Sequence, residues 1–420
     1  MTRVEQLHNR GFGEEIFARA DALAAISELP GMITRRFLTA EHSRVNRLVG
    51  DWMRGAGMHV HVDAAANVVG RYEGVTPGLP ALIIGSHLDT VADAGKYDGT
   101  LGVLTGISAV AALHTRHERL PFAIEVIGFG DEEGLRYRST FLGSCAVAGT
   151  FDMALLERRD ADGISMREAF EAFGLAPEKI GEATRKRGDL VGYVEVHIEQ
   201  GPVLENEALP VGVVTSIAGA TRLDVNLRGT AGHAGTVPMR HRQDALAGAA
   251  ELVRFVETRC TKGDLVGTVG QLTVQPGAVN VIPGEVEFTV DVRAPDDAPR
   301  ETAVEDIMQR IREVAACRNL TAGITKTYET ASCPCSANMS LGIADAVSEV
   351  GFAPRYLPSG AGHDAMAMAD ITDVGMLFVR CAGGVSHNPE EAMTMEDADI
   401  ATRVLLAFLR RHLQQLEDTG

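Results

Sequence analysis

No run of apolar residues approaches the roughly 20 that a membrane-spanning helix needs, and the longest, such as Ala81–Ile84, are strand-sized. Met1–Arg10 has no basic segment leading into an apolar one, so no secretory leader is expected. Cysteine is scarce, with six in 420 residues, too few for a disulfide scaffold. Cys333 and Cys335 form a Cys-Pro-Cys pair that lacks zinc-site spacing and a second pair to complete it, so the thiols read as incidental and the compartment as reducing cytoplasm. Positive charge is also in deficit, 39 Lys and Arg against 57 Asp and Glu, a net charge of −18. Such a surface repels phosphate backbones and anionic lipids, which argues against nucleic acid and membrane partners. It suits a protein that gathers carboxylates around cations. Tandem repeats and low-complexity tracts are missing too.

What remains is ordinary globular material, 45% hydrophobic and 23% charged, long enough for two or three folding units. The first part alternates strand-like and helix-like segments: Ala81–Ile84, the helical Thr100–His117, then Phe122–Phe129 and Tyr193–Ile198. Leu101, Leu104, Ile107 and Ala111 give the helix one apolar face. Strands separated by helices predict an α/β catalytic domain with a mixed sheet flanked by helices. From about Val213 the pattern changes. Leu223–Leu227, Val266–Val274 and Glu285–Arg293 read as strands, and Gln243–Cys260 and Val304–Ala316 as helices. The order β-α-β-β-α-β predicts an inserted ferredoxin-like α+β domain. The expected division is 1–212 and 330–420 for the catalytic domain and 213–329 for the insert, with a last helix within Asp397–Leu416.

Chemistry-bearing residues gather at three strand ends: Gly85-Ser86-His87-Leu88-Asp89 followed by Asp98-Gly99, Asp131-Glu132-Glu133-Gly134, and His197-Ile198-Glu199-Gln200-Gly201. Sites in open α/β sheets form beyond the carboxyl ends of strands. A fourth group, Val385-Ser386-His387-Asn388-Pro389, falls in a loop near the end. Each alone is unremarkable as structure, but the set has the composition of a metal centre. Two cations about 3.5–4 Å apart can clamp one water. Holding them needs a bridging carboxylate, since a monodentate imidazole cannot bridge, and a further carboxylate must stay free to take the water's proton. Histidine and carboxylate oxygen suit zinc, and also manganese, cobalt or nickel. Asp89, two residues after His87, could hold that histidine's other ring nitrogen.

These motifs, and especially His197-Ile198-Glu199-Gln200-Gly201-Pro202, resemble the M20-type metallo-amidases, in the branch of hydantoinases and carbamoylases. That branch contains N-carbamoyl-L-amino acid hydrolases, allantoate amidohydrolases and β-ureidopropionases. The resemblance runs from about Arg44 to Phe408. It implies that Asp98 bridges two divalent ions, that His87 and His197 complete one and Glu133 and His387 the other, and that Glu132 is the general base and acid. It further implies that the insert is a lid and homodimer interface. His233 of Gly232-His233-Ala234-Gly235 would polarise the scissile carbonyl. Asn280 and Arg293 would hold the substrate carboxylate, Gln200 would contact the ureido group, and Gly362-His363 would belong to a loop closing over the carboxylate. The expected reaction is hydrolysis of the linear amide C–N bond of a small ureido acid. Alternatives are a dipeptidase or aminoacylase of the same clan, and a catalytically silent dimeric binding protein.

Overall fold

The computed structural model describes residues 11–418, and the expectation for Met1–Arg10 falls outside them. The chain divides into two compact units. One comprises the chain up to Thr215, Cys335–Leu357 and the stretch from Gly362 onward; the other is Ser216–Pro334 with Pro358–Ala361. Among the described residues no helix is long and apolar enough to cross a membrane.

The strands are β1 His59–Val62, β2 Val68–Tyr72, β3 Ala81–His87, β4 Ala123–Phe129, β5 Leu190–Ile198, β6 Val211–Ile217, β7 Gly219–Arg228 and β8 Gly232–His233. They continue with β9 Val266–Thr268, β10 Leu272–Gln275, β11 Val281–Ile282, β12 Glu285–Ala294, β13 Thr321–Thr330, β14 Cys333–Pro334, β15 Tyr356–Ser359 and β16 Val374–Val379.

In the first unit the sheet runs β1-β2-β4-β3-β5-β16-β6. Its centre, β4-β3-β5-β16, is parallel, and antiparallel pairs flank it on both sides. β3, β4 and β16 are buried along their whole length. That is why they read as continuous apolar runs rather than alternating ones. The helix Thr100–Thr115 lies on β3 and β5, with the helices Phe12–Ala24 and Met395–Asp418 packed on its other side. The single apolar face expected of it is therefore an underestimate: Thr100–Val110 and Leu113 are all buried. Gly102 permits the close approach, because a Cβ there would stand 2.3 Å from the Val196 carbonyl oxygen and 2.8 Å from Ser86 Cβ.

In the second unit β10-β12-β7-β13 form an antiparallel sheet, with β9 also on β12. Counting β9 and β10 as one interrupted strand, the order is strand, helix, strand, strand, helix, strand. The expected strand Val266–Val274 is broken around Gly270, where Gln271 N–H donates instead to the Thr289 hydroxyl. Alternation sorts β7 and β12 into two faces. Leu223, Val225, Leu227, Val286, Phe288, Val290 and Val292 are buried in one core with the helices Ala245–Cys260 and Asp297–Arg318. The other face carries Arg222, Asp224, Asp291 and Arg293.

One buried histidine of the first unit has a consequence for acid stability. His42 is 2% exposed, and its Nδ1 accepts the Leu38 N–H at 3.1 Å. Burial, and then the charge of Arg35, lower its pKa from 6.5 to about 3. Between those values the unfolded chain binds a proton that the folded chain refuses, so stability falls as pH drops below about 6.5. His42→Gln keeps an acceptor for Leu38 and cannot charge. Urea midpoints at pH 7 and pH 5 are expected to show the natural protein losing about 2 kcal/mol more than the variant over that interval. Parallel losses in the two proteins would assign the acid sensitivity elsewhere.

Candidate metal centre

The parallel register brings the chemistry to one edge. His87, last residue of β3, pairs with Phe129, last residue of β4, and the chain after Phe129 supplies Asp131, Glu132 and Glu133. On β5, Tyr193, Glu195 and His197 alternate onto the face opposite Val194, Val196 and Ile198. Asp98 follows a loop after β3 and leads through Gly99, at φ 65°, into the helix Thr100–Thr115. The fourth group lies in the loop after β16, where His387 adopts φ 55°. Asp131 at 62° and Gln200 at 56° share that left-handed backbone. Three non-glycine residues held there around one site is the kind of strain that functional loops store.

Five of the residues singled out from the sequence converge. Asp98 Oδ1 lies 3.2 Å from His197 Nε2 and 3.8 Å from His87 Nε2. Asp98 Oδ2 lies 3.2 Å from His387 Nε2, which is 3.4 Å from Glu133 Oε1. The two carboxylate oxygens thus face two different sets of partners, as a bridging ligand requires. His87, Asp98 and His197 form one compact triplet of donor atoms and Asp98, Glu133 and His387 another, while Glu132 stands with His87 and Glu133. The first triplet is buried, whereas the His387 side chain is 50% exposed.

The donor chemistry fits cations. His87 Nδ1 is 3.1 Å from the Asp89 carbonyl oxygen and His197 Nδ1 is 2.9 Å from that of Ile198. Donation to those carbonyls leaves both Nε2 atoms as bare acceptors aimed at a carboxylate. The Gly99 N–H at 3.3 Å from His197 Nε2 agrees with this tautomer. A positive charge belongs between those atoms and Asp98. Without a metal it is supplied as a proton: burial would lower the pKa of both rings, but the surrounding carboxylates raise it. Titration shows the same crowding. Burial, together with Glu133, Asp364 and Asp89, pushes Glu132 well above the usual carboxylate range against the pull of His87. Burial likewise pushes Glu133 up to about 7. Asp98 goes the other way: burial would raise it, but His197 and His387 hold it well below its ordinary value. Cations at this spot would relieve the carboxylate crowding and free the imidazoles of protons.

Asp89 does serve the other ring nitrogen of His87, but through its main-chain oxygen rather than its carboxylate. Its carboxylate accepts the Glu132 N–H at 3.0 Å and the Glu133 N–H at 3.1 Å, and lies 3.7 Å from His87 Nδ1, which its main-chain oxygen satisfies instead. The turn after β4 presents two successive amides, which compete better for a carboxylate than one ring N–H already served by a carbonyl. Gln200 Nε2 donates to both Asp98 oxygens, at 3.2 and 3.3 Å, and to the Ser386 hydroxyl at 3.0 Å. His363 is 1% exposed and its ring packs 4.5 Å from that of His197, beside a candidate ligand. Gly362 lies against Phe141, whose Cζ would be 2.8 Å from a Cβ at that position.

Three further residues belong to the second unit. His233 pairs with Val281, and the Ala234 N–H donates to the Asn280 carbonyl, so His233 and Asn280 sit in one small exposed ribbon. His233 Nδ1 accepts the Gly235 N–H at 3.0 Å, which leaves Nε2 carrying the proton and facing outward as a donor. Arg293 lines a depression of about 710 Å³ on the open face of the sheet. Asp291 holds it through Nε at 2.9 Å and Nη2 at 3.3 Å, and an Nη1 N–H donates to the Gly360 carbonyl. Two of its five N–H groups stay available in that fork arrangement.

Sequence reasoning did not single out Glu195 or Glu391, and named Ser386 only as a neighbour of His387. Glu195, fully buried, accepts hydrogen bonds from Ser86, Tyr193 and the Ala365 amide beneath the site. Its signal was available, since a glutamate inside an otherwise apolar strand, two residues before a histidine, shares that histidine's face. Ser386 and Glu391 flank His387 in a loop, where no periodicity marks them.

The signature of peptidase family M20/M25/M40 matches residues 83–411. The chain is 42% identical over 395 residues to an N-carbamoyl-L-amino acid amidohydrolase of Geobacillus stearothermophilus, covering 94% of this chain and 97% of that one. It is 41% identical over 439 residues to an allantoate deiminase of Arabidopsis thaliana, covering 97% and 84% respectively. A crystal structure of a hydantoinase/carbamoylase family amidase from Burkholderia multivorans superposes with a TM-score of 0.90 at 32% identity, over 96% of this chain and 98% of that one. The chain belongs to peptidase family M20/M25/M40, among its amidases of the hydantoinase/carbamoylase type.

Proposed function

We propose that this chain hydrolyses the linear amide C–N bond of a ureido acid, either an N-carbamoyl-L-amino acid or allantoate. The observation that carries the reading is Asp98, whose two oxygens face two separate sets of ligand-type side chains with Glu132 alongside. His87, Asp98 and His197 would hold one divalent ion and Asp98, Glu133 and His387 a second, with zinc or manganese the best fits and cobalt or nickel compatible. When bound, such ions supply Lewis acidity and make water acidic enough to ionise near neutral pH.

The chain's own groups do the rest. Glu132 takes the proton of the attacking water and returns it to the leaving nitrogen. His233 donates from Nε2 to the developing oxyanion, the kind of electrostatic contribution that usually dominates such reactions. Arg293 grips the substrate carboxylate with the N–H groups that Asp291 and Gly360 leave over, and Asn280 assists. Gln200 contacts the ureido group. The second unit serves as lid and as the surface of a homodimer across which His233 reaches, and the enzyme works in the cytoplasm. A carbamoyl amino acid would yield ammonia, carbon dioxide and the free amino acid. Allantoate would yield ammonia, carbon dioxide and ureidoglycine.

The test is ammonia release from a panel of N-carbamoyl-L-amino acids and allantoate, with dipeptide cleavage measured in parallel, under added manganese, cobalt, nickel or zinc. Turnover of a ureido acid faster than of any dipeptide is expected. A dipeptide cleaved faster would replace the reading by a dipeptidase. Metal-independent inertness toward the whole panel would leave a binding protein.

A further inference from the structure

We infer that Glu391 is a positioning residue that ties the loop bearing Asp98 to the loop bearing His387, so that the cage is assembled before any cation arrives. The inference rests on the metal-centre reading above and adds a residue to it. Glu391 is 5% exposed, four residues past His387. Its Oε1 accepts the main-chain N–H of Tyr97 at 2.8 Å and of Asp98 at 3.2 Å. Its Oε2 accepts the Ser386 hydroxyl at 3.1 Å. That hydroxyl is also 3.3 Å from Asp98 Oδ2 and receives the Gln200 side-chain N–H at 3.0 Å. One carboxylate therefore fixes the backbone of the bridging residue with one oxygen and the neighbour of His387 with the other.

The local sequence is shaped to seat it. A Cβ at residue 95 would come within 2.2 Å of Glu391 Cδ, so only glycine leaves room for the carboxylate under this loop. The Glu391 N–H closes back on the Asn388 carbonyl at 3.0 Å, which makes the stretch after His387 a closed turn rather than a free tether. The arrangement matters because His387 is the least anchored of the candidate ligands: its side chain is half exposed and its backbone is left-handed. Among the described residues its ring is held by Asp98 and Glu133. Ser386 has one proton to give. With Glu391 taking it, the Ser386 hydroxyl leaves Asp98 Oδ2 to a cation; with Glu391 gone, the proton turns to that oxygen and competes with the cation.

Manganese(II) titration of the metal-free protein, with the free ion followed by its electron paramagnetic resonance signal, tests this against a purely structural role. Glu391→Gln keeps the volume and one acceptor but offers an N–H₂ to Ser386. Ser386→Ala removes the hydroxyl and leaves the Glu391 bonds to Tyr97 and Asp98 intact. Both variants are expected to bind manganese about 10–100-fold more weakly, the usual consequence of losing an outer hydrogen-bond partner. The metal-free melting temperature of Ser386→Ala should match that of the natural protein, and Glu391→Asp should recover part of the affinity. Natural affinity in both variants overturns the inference. A Glu391→Gln protein that is weakened only together with a lowered metal-free melting temperature, while Ser386→Ala binds normally, reduces Glu391 to a loop staple and overturns it too. Failure of the natural protein to bind manganese or zinc at all would strike the metal-centre reading itself, which separates the two.

Discussion

Glu132→Gln is expected to lower kcat by about 10²–10⁴-fold or more while leaving metal content and fold intact. The amide has the carboxylate's size and can still accept a hydrogen bond, but it cannot take a proton from water and carry it to the leaving nitrogen. The backbone would not move, because Asp89 holds residue 132 through its main-chain N–H, which the substitution preserves. Neither would the ligands, since Glu133 and not Glu132 faces His387. Burial, with Glu133, Asp364 and Asp89 adding to it, already pushes the Glu132 carboxyl well above the usual range. Neutralising one member of that crowd should therefore leave the metal-free protein as stable or slightly more so. Rate, metal stoichiometry by mass spectrometry and melting temperature together form the test. A natural rate in the variant would remove Glu132 from the mechanism; a lost rate accompanied by lost metal would make it a ligand instead.

The site was more legible than its supports, for reasons of chain geometry. A parallel sheet places the carboxyl ends of its strands along one edge, so His87, the Asp131–Glu133 turn and His197 could be brought together from strand ends alone. Asp98 could be read as the bridge only through a family likeness, since nothing in the spacing of an Asp-Gly pair tells a ligand from a turn. Its two-sided geometry is a property of the fold. Asp89 shows the limit of reasoning by sequence proximity. Two residues from His87 put its carboxylate within reach of that ring, yet the amides of Glu132 and Glu133, more than forty positions away, claimed it. Glu391 shows the same limit more strongly: its partners Tyr97 and Asp98 are almost three hundred residues distant.

Element boundaries followed the same rule. Strands were found where burial is two-sided and the apolar run unbroken, as in Ala81–Ile84, although β3 extends three residues further to include His87 itself. The helix expected at Val304–Ala316 begins instead at Asp297, where the Asp296 side chain caps the Ala298 N–H and Pro299 sits in the first turn. Those are readable helix-start signals, lying ahead of the stretch where apolar periodicity becomes regular. Thr100–Thr115 misled in the other direction. A helix buried all round has no polar face to contrast with, so picking out Leu101, Leu104 and Ile107 as a stripe understated its burial.

Asp98→Ala and His387→Ala should separate the two halves of the cage by metal count. Asp98 is the residue shared by the His87, Asp98 and His197 triplet and the Asp98, Glu133 and His387 triplet. Its removal takes an oxygen from each at once and leaves each position two of its ligands, His87 with His197 and Glu133 with His387, with no carboxylate shared between them. Affinity at both positions is expected to drop by more than the roughly 10–100-fold that follows loss of an outer partner, so that protein purified and dialysed retains well under one equivalent. His387→Ala leaves His87, Asp98 and His197 complete, each with a side chain no more than 4% exposed and with both rings fixed by main-chain carbonyls. That protein should retain about one equivalent where two are expected of the natural chain. Both variants should be inactive, so activity cannot tell them apart and only stoichiometry can. Two equivalents retained by Asp98→Ala would mean that the carboxylate spans no pair of ions, and the hydrolytic reading would have to be rebuilt around a single-ion site.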